Sequence, residues 1–407
     1  MEQVSKCRVC NSTRLKPFFD LGEQPLANSL LDSPDQEDKK YPLSLSWCGD
    51  CFLVQLNYTV NPEVLFSKYL WVTGTSRGAN EFKEVFCNEL LKKTELTKDD
   101  LVVDIASNDG TFLVPFRDKG YKVLGIDPAE NIAEIARKNN IPTECWFFGL
   151  RTAEQLIKQY KKPKIVFARN VLPHVVNTRD FVKGINLILP DDGVAAVEVH
   201  YAKEILEGLH YDSIYHEHLC YFTVKSIERL FNDCRLYIFD IKDSPISGGS
   251  IILYLRKRKA EETPRVQRYR DCEIKDKTNE VTSWEDFAKR SFEHKKTLLE
   301  ILEKDKSEDS FIIGYGASAR SSTMLNFCGI NSKVMPMIAD LNDLKNDKYT
   351  AGSHIKIVKP EVAMRTKPDT IFILAWNFKD EIIKYLKEEF GFNGKYVIPL
   401  PYKPEIK

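Results

Sequence analysis

The chain has 407 residues, 43% of them hydrophobic and 29% charged, which is enough for two or three globular domains. Its 59 basic residues balance its 59 acidic ones, so no overall charge draws it to nucleic acid or to an anionic membrane. No apolar run approaches the roughly 20 residues needed to cross a bilayer, and the first residues lack the pattern of a secretory signal. We expect a cytoplasmic protein that acts on small molecules, with neither nucleic acid nor membrane as a partner.

Residues 1–65 contain two Cys-x-x-Cys pairs, Cys7 with Cys10 and Cys48 with Cys51. Ten cysteines in a cytoplasmic protein are not expected to form a disulfide framework. Each pair places two sulfurs on one tight turn, and four thiolates form the closed tetrahedral shell of a structural zinc site. The long separation between the pairs keeps unpaired redox thiols as the alternative. We predict a small zinc-binding module.

Short β-branched runs alternate with helical patterns over about residues 101–258, after a helical lead-in over 66–100. This alternation predicts a mainly parallel sheet covered by helices on both faces. The predicted strands are 101–105, 121–127, 164–169 and 193–200, and the predicted helices between them are 131–139, 151–160 and 179–189.

The first predicted strand runs through Asp104 into a small polar loop that ends at Gly110, so backbone amides can approach a ligand closely. The next strand ends at Asp127, where an acid can accept the hydroxyls of an adenosine ribose. Ala106 and Asn108 stand where a dinucleotide loop has glycines, and no phosphate-loop ending follows. The loop therefore favours S-adenosylmethionine over NAD or ATP, and an ordinary α/β turn is the alternative.

Four side chains that can handle protons follow one another at Tyr215, His216, Glu217 and His218. In an extended segment, Tyr215 and Glu217 would face one side and the two histidines the other. An imidazole with a pKa of about 6.5 is a natural general base near neutral pH, and a nearby carboxylate tunes it. The alternatives are a structural histidine pair or a metal site through His216, Glu217 and His218.

Asn170 and His174 follow the predicted strand over 164–169. They would lie at the carboxyl-terminal edge of the sheet, where such folds bind ligands. Asn170 is therefore a further candidate for the cofactor site, and His174 is a candidate for the chemistry. We expect these residues and the 215–218 cluster to converge on one cleft.

Residues 259–281 are dense in charges of both signs and are interpreted as an exposed connection. After a helix predicted over 284–302, the βα rhythm resumes and predicts a second doubly wound lobe. Its glycine turn at 314–320 could hold a diphosphate on a helix N-terminus, with Ser318 and Arg320 adding contacts. A purely structural turn into the helix is the alternative.

These motifs occur in one order along nearly the whole chain. Besides the two Cys pairs they are Ala106-Ser107-Asn108-Asp109-Gly110-Thr111, Gly125-Ile126-Asp127-Pro128-Ala129, Tyr215-His216-Glu217-His218 and Gly316-Ala317-Ser318-Ala319-Arg320, with further motifs at 348–354 and 374–378. The chain resembles the three-domain, zinc-containing, S-adenosylmethionine-dependent C-methyltransferases of nucleotide-linked 4-keto deoxysugars, the sugar C-3 methyltransferases. The resemblance implies a class I Rossmann-like methyltransferase domain over 66–258, flanked by the zinc module and by a C-terminal Rossmann-like α/β lobe over 259–407 that contributes to sugar-nucleotide binding.

The resemblance also implies residue roles. His218 would remove the C3 hydrogen that the C4 ketone acidifies, and the enolate carbon would take the methyl group. Tyr215 and His174 would stabilise the oxyanion or position the ketosugar, Glu217 would bind a hydroxyl or amino substituent, and Tyr69 would close the site. The implied substrate is of the dTDP or GDP type, and the implied state is a monomer or weak homodimer. An O- or N-methyltransferase of a sugar nucleotide is the first alternative, and a zinc-containing binding scaffold is the second.

Overall fold

The computed structural model describes residues 1–66, 72–246, 248–307 and 310–407. The chain forms two compact units, and each unit is discontinuous in sequence. The first unit comprises Met1–Lys16, Ser46–Lys203 and Leu219–Glu280, and the second comprises Pro17–Leu45, Glu204–His218 and Val281–Lys407. The three consecutive domains expected from the sequence stay a prediction.

The described residues form the following strands and helices. The strands are β1 Glu2–Gln3, β2 Leu15–Pro25, β3 Lys40–Cys48, β4 Val54–Leu56, β5 Tyr58–Thr59, β6 Leu101–Ile105, β7 Lys122–Ile126, β8 Thr143–Glu144, β9 Ile165–Arg169, β10 Val194–His200, β11 Cys220–Tyr221, β12 Tyr237–Ser244, β13 Ser250–Arg256, β14 Ile312–Tyr315, β15 Met337–Ala339, β16 Lys356–Val358, β17 Thr370–Ile373, β18 Lys395–Ile398 and β19 Glu405–Ile406. The helices are α1 Pro62–Phe66, α2 Arg77–Leu91, α3 Val114–Asp118, α4 Glu130–Lys138, α5 Leu150–Gln159, α6 Thr178–Ile188, α7 Ala202–Gly208, α8 Val224–Asp233, α9 Pro264–Lys275, α10 Val281–Ser307, α11 Ala319–Cys328, α12 Pro360–Arg365 and α13 Lys379–Phe390.

A seven-stranded sheet forms the centre of the first unit, in the order β12-β13-β10-β9-β6-β7-β8. Strands β6 to β10 pair in parallel, whereas β13 lies antiparallel to both β10 and β12. The strand order reverses at β6, which has β7 on one side and β9 on the other. In open α/β sheets, ligands bind in the crevice at the carboxyl ends of the strands where this reversal occurs.

The predicted strands and helices of this sheet are confirmed, with ends that shift by about one residue. Strand β6 is buried at all five positions, and β9 is buried at all but Arg169. A parallel strand covered on both faces reads as a continuous apolar run, and this made both strands visible in the sequence.

The expectation that residues 259–281 form only an exposed connection is wrong, because the stretch contains α9. Pro264 occupies the first turn, where its missing N–H costs no helical hydrogen bond. Val266, Tyr269 and Glu273 are buried, at helical spacing. The buried face of α9 is narrow and includes a glutamate, so the charged residues around it mask the helical pattern in the sequence.

A six-stranded sheet forms the centre of the second unit, in the order β16-β15-β14-β17-β18-β19. Strands β14 to β18 pair in parallel, and β19 closes the edge antiparallel to β18. The order reverses at β14, so the second doubly wound layer predicted from the sequence is confirmed. The chain enters α11 through Gly316, whose φ of 93° suits glycine.

A four-stranded sheet has the order β11-β4-β3-β2, and β1 pairs with β5. Residues 31 and 349 of the second unit form an antiparallel bridge, with Leu31 and Tyr349 exchanging backbone hydrogen bonds of 2.9 and 2.8 Å. Within the described ranges, no helix is both long and apolar enough to cross a membrane.

Candidate active site

The four cysteines of the two N-terminal pairs meet in one cluster. The sulfurs of Cys7 and Cys51 are 3.4 Å apart, and those of Cys10 and Cys48 are 3.6 Å apart. All four sulfurs lie within 4.8 Å of one another. Thiolates about 2.3 Å from a tetrahedral zinc ion are about 3.8 Å apart. The cluster therefore fits zinc, and its four thiol donors define a closed, structural site.

The loop after β6 is shaped by three residues with left-handed backbone, since φ is 58° at Ala106, 52° at Asn108 and 78° at Gly110. A Cβ on Gly110 would lie 2.8 Å from the side chain of Ile141, so the loop requires glycine there. Ala106 adopts a conformation that costs an L-residue about 1–2 kcal/mol. At position 106 the loop therefore has the left-handed backbone typical of glycine, although the residue is alanine.

A second segment hydrogen-bonds to this loop. The backbone N–H of Thr73 donates to Oδ1 of Asn108, and that of Gly74 donates to Oδ2 of Asp109, both at 2.8 Å. The sequence did not single out Thr73 and Gly74, whose contribution comes from backbone groups. Tyr69, a predicted catalytic residue in the same aromatic segment, lies outside the described residues.

Two buried carboxyl groups lie at the ends of β6 and β7. Asp104 is 3% exposed, and its Oδ1 has no hydrogen-bond partner among the described residues. Burial raises the pKa of Asp104 well above its usual range, although the charge of Arg169 opposes this. Burial also raises the pKa of Asp127, whose two oxygens accept the N–H groups of Asn108 and Ala129 at 2.9 Å.

These acceptors fit S-adenosylmethionine. The cofactor carries an ammonium group, a sulfonium charge and ribose hydroxyls, and a nearby cation stabilises the charged form of a carboxyl. The orphaned oxygen of Asp104 can take such a donor, and the narrow turn at Gly110 brings backbone close to it.

Asn170 follows β9, has a φ of 49° and forms hydrogen bonds with Glu198 of β10. Its N–H donates to the carbonyl oxygen of Glu198 at 2.9 Å, and its Nδ2 donates to Oε1 of Glu198 at 3.2 Å. Glu198 is fully buried and accepts from Nε of Arg169 at 2.6 Å. Sequence reasoning missed Glu198, yet a glutamate inside an otherwise apolar predicted strand was an available signal, because a buried charge needs a partner.

Residues 215–218 form a turn, in which the N–H of His218 donates to the carbonyl oxygen of Tyr215 at 2.9 Å. The expected alternation of an extended segment is therefore wrong, since the turn brings residues three apart onto one side. The ring centroids of Tyr215 and His218 are 4.0 Å apart, and the phenol oxygen lies 2.8 Å from Nε2 of His218.

The backbone sets the tautomer of His218. Its Nδ1 lies 2.8 Å from the carbonyl oxygen of Ser213, which can only accept, so Nδ1 carries the proton. In the neutral imidazole, Nε2 is then the basic nitrogen and accepts from the phenol of Tyr215. Because His218 is 3% exposed, this pair can exchange a proton with little competition from water.

Glu217 is buried, and burial raises the pKa of its carboxyl from 4.5 to about 7. A hydrogen bond of 2.6 Å from Nδ2 of Asn28 to its Oε1 opposes this rise. Nε2 of His216 faces the carbonyl oxygen of Tyr41 at 3.3 Å, and burial lowers the pKa of His216. Across the described residues, the four cysteines are the one group of side chains that could hold a metal ion.

The remaining predicted site residues divide between the units. His174 ends the 3₁₀ turn Leu172–His174 in the first unit, which also contains the predicted cofactor residues. Ser318 caps α11 in the second unit, where its Oγ accepts the N–H of Ser321 at 3.2 Å. The guanidinium carbon of Arg320 lies 5.7 Å from the ring centroid of Trp376. The structure thus brings Tyr215, Glu217 and His218 together, with Ser318 and Arg320 in the same unit.

His210 and Asp212 are two buried polar residues that the sequence did not single out, and the charge of Arg320 acts on both. Asp212 is fully buried and accepts from Nε1 of Trp376 at 2.7 Å. Burial raises the pKa of Asp212, and the charge of Arg320 opposes the rise. Burial, together with the charge of Arg320, lowers the pKa of His210 to about 3, so this histidine is neutral. The common signal of these residues is three-dimensional, because Asp212 and Trp376 are 164 positions apart.

Models of three protein-domain families match consecutive parts of the chain. A zinc-binding domain model matches residues 7–66, a methyltransferase domain model matches 80–236, and a model of the C-methyltransferase C-terminal domain matches 245–401. The chain is therefore a methyltransferase that uses S-adenosylmethionine. It is 30% identical to the C-methyltransferase NovU of Streptomyces niveus over 402 residues, which cover 98% of this chain and 96% of that relative. The chain belongs to this family of C-methyltransferases.

Solved methyltransferase structures cover less of the chain. An S-adenosylmethionine-dependent methyltransferase from Clostridium acetobutylicum is 13% identical, covers 44% of this chain and 91% of its own, and has a TM-score of 0.36. Magnesium protoporphyrin IX methyltransferase from Synechocystis is 15% identical, with 44% and 84% coverage and a TM-score of 0.36. The family and the cysteine cluster confirm the predicted fold class, S-adenosylmethionine and structural zinc.

Proposed function

We propose that this C-methyltransferase methylates C3 of a nucleotide-linked 4-keto-6-deoxysugar, in deoxysugar biosynthesis. The observation that carries the proposal is the pairing of Tyr215 with His218, whose phenol oxygen and Nε2 are 2.8 Å apart. Removing a proton beside a ketone requires a base for the carbon acid and a donor for the enolate oxygen. A neutral imidazole and a phenol supply both.

In this reaction the ketosugar binds between the two side chains, and the hydrogen bond between Tyr215 and His218 breaks. The phenol O–H of Tyr215 turns to the C4 oxygen, which frees Nε2 of His218. Nε2 then accepts the C3 proton, and the electron pair of the C–H bond forms the enolate that Tyr215 stabilises. S-adenosylmethionine, when bound, supplies an electrophilic methyl group. The C3 carbon of the enolate forms a bond to this methyl as the methyl–sulfur bond breaks, and the electron pair of that bond leaves with S-adenosylhomocysteine. The proton stays on the imidazolium until it is lost to solvent.

The other predicted residues have supporting roles in this proposal. Glu217 binds a hydroxyl or amino substituent of the sugar, His174 helps to position the ketosugar, and Tyr69 closes the site. Ser318 and Arg320 contact the diphosphate of a dTDP or GDP group. The cofactor is bound by Asp104, Ala106, Asn108, Gly110, Asp127 and Asn170. The acceptor character of the two buried aspartates and the closely packed turn at Gly110 support this assignment. The ten cysteines, four in the zinc cluster and six outside it, are not joined by disulfides, which supports a cytoplasmic location.

The test uses matched substrates that differ at C4. Purified protein is incubated with S-adenosylmethionine and a panel of dTDP- and GDP-linked 4-keto-6-deoxysugars, alongside the same sugars with the C4 ketone reduced to a hydroxyl. We expect one methyl group to be added to a ketosugar and none to its reduced partner, because only the ketone acidifies C3. Methylation of the reduced sugar would contradict an enolate.

A further inference from the structure

We propose that Asn28 is a specificity-determining residue, whose side-chain amide holds Glu217 as an acceptor for a donor group of the substrate, either a hydroxyl or an ammonium. The inference deepens the proposed function and rests on Glu217 being a substrate-binding residue. Nδ2 of Asn28 lies 2.6 Å from Oε1 of Glu217, although the two residues are 189 positions apart. Both belong to the second unit.

The backbone around Asn28 is fixed by local bonds. The N–H of Ser29 donates to the carbonyl oxygen of Leu26 at 3.1 Å, and Leu26 is buried. On the other side, Leu31 exchanges backbone hydrogen bonds of 2.9 and 2.8 Å with Tyr349. Because this turn is already ordered, the amide reaches Glu217 with a small loss of conformational entropy. A preorganised donor of this kind fixes the orientation of the carboxyl plane as well as its charge.

Glu217 depends on this donor because its surroundings disfavour charge. The carboxyl is buried, whereas Asn28 is exposed. Burial raises the pKa of Glu217 to about 7, and the bond from Asn28 is the contact that lowers it; no charged side chain of the described residues adds to the shift. The titratable neighbours in the turn are Tyr215, which pairs with His218, and His216, which faces a backbone carbonyl.

The charge state of Glu217 decides what it can bind. A carboxylate only accepts hydrogen bonds, whereas the protonated acid also donates one. A neutral amide donor stabilises the carboxylate, so Asn28 keeps the accepting form populated near neutral pH. Substrates that present a hydroxyl or ammonium to Glu217 therefore gain from Asn28, and substrates with only hydrogen at that position do not.

The first test measures the carboxyl directly, without turnover. The Glu217 signal is followed by NMR through a pH titration of the full chain labelled with ¹³C-glutamate, and it is identified by its loss in Glu217→Gln. We expect Asn28→Leu to move the midpoint upward by about one pH unit, and Asn28→Asp to move it in the same direction. Asn393→Leu, at another exposed asparagine of the second unit, should leave the midpoint unchanged. An unchanged midpoint in Asn28→Leu would overturn the inference.

The second test measures specificity with ketosugars that carry a hydroxyl, an amino group or hydrogen at C3. We expect Asn28→Leu to raise KM about tenfold for the hydroxyl and amino substrates, with kcat little changed and with no effect on the deoxy substrate. An equal change in KM for all three would overturn the role in specificity. If the wild type methylates no ketosugar while the titration midpoint still shifts, the proposed function fails and the pairing of Asn28 with Glu217 stands.

Discussion

His218 and Tyr215 show how a turn creates a reactive pair. The carbonyl oxygen of Ser213 fixes the Nδ1 proton of His218, and the phenol of Tyr215 then donates to the lone pair of Nε2. Both side chains act in their neutral forms, because the backbone carbonyl of Ser213 sets the tautomer of His218. A neutral histidine with one fixed nitrogen is suited to accept a proton from carbon.

Tyr215→Phe tests whether the phenol hydroxyl takes part in the reaction. The ring remains beside His218, whereas the donor to the enolate oxygen is lost. We expect kcat to fall by about 10²–10⁴-fold, while binding of S-adenosylmethionine measured by calorimetry stays unchanged. Tyr402→Phe, at an exposed tyrosine, is the matched control and should keep full activity. Full activity of Tyr215→Phe would remove the phenol from the reaction.

Glu217 predicts a pH dependence of stability. Its pKa rises from 4.5 to about 7 on folding, so the folded protein binds this proton more tightly than the unfolded chain does. The contribution to stability is therefore present below about pH 4.5 and is lost as the pH rises toward 7. We expect urea unfolding to show Glu217→Gln gaining up to about 3 kcal/mol relative to wild type between about pH 5 and pH 8. A pH-independent difference would contradict this titration.

At the scale of elements, α9 anchors its neighbours through Glu273. This buried carboxyl accepts the N–H groups of Val224 and Lys225 at the start of α8, and it accepts the phenol O–H of Tyr201 at 3.0 Å. A carboxylate at a helix N-terminus binds the orphan N–H groups of the first turn. The charged stretch that hides α9 in the sequence thus holds a residue that joins α9 to α8 and to Tyr201, between β10 and α7.

Glu273→Ala would leave these donors without a partner inside the protein. We expect a loss of roughly 3 kcal/mol in the free energy of unfolding, measured by urea denaturation. Glu261→Ala, at an exposed glutamate before α9, should change stability by less than about 0.5 kcal/mol. Equal stabilities of the two variants would contradict the anchoring role of Glu273.

The sequence predicted most of the helices and strands, but it did not predict the turns and long-range hydrogen bonds that bring the site residues together. Strand β6 begins and ends at the predicted residues, because it is a buried β-branched run. The turn at 215–218 was missed because polar alternation also suits a strand. Asn28 was missed because its only signal is a hydrogen bond across 189 positions.

At the scale of the whole molecule, the described residues form two units, and each unit is built from three separate stretches of the sequence. Residues 17–45 and 204–218 belong to the second unit, so Tyr215, Glu217 and His218 share a unit with the C-terminal sheet, whereas His174 belongs to the first unit. Sequence patterns are local and do not report such discontinuous units. The cysteine cluster in the first unit joins two segments in the same way, because Cys7 and Cys51 are 44 positions apart.

Loss of zinc should therefore affect the stability of the protein more than its chemistry. We expect Cys51→Ser to lower the zinc content measured by mass spectrometry from one ion per chain to none, and to lower the unfolding temperature by several degrees. Cys272→Ser, at a half-buried cysteine outside the cluster, should retain the metal. Full zinc occupancy in Cys51→Ser would contradict the four-cysteine site.

Exchange of the C3 hydrogen in heavy water tests the proposed chemistry most directly. Wild-type protein, His218→Asn and Tyr402→Phe are each incubated with a 4-keto-6-deoxysugar nucleotide and S-adenosylmethionine, and the deuterium content and mass of the sugar are followed by mass spectrometry. We predict that wild type and Tyr402→Phe introduce deuterium at C3 of the sugar that has not yet been methylated and add one methyl group to the rest, and that His218→Asn does neither. Methylation by His218→Asn at the wild-type rate, without exchange at C3, would contradict a histidine base and an enolate.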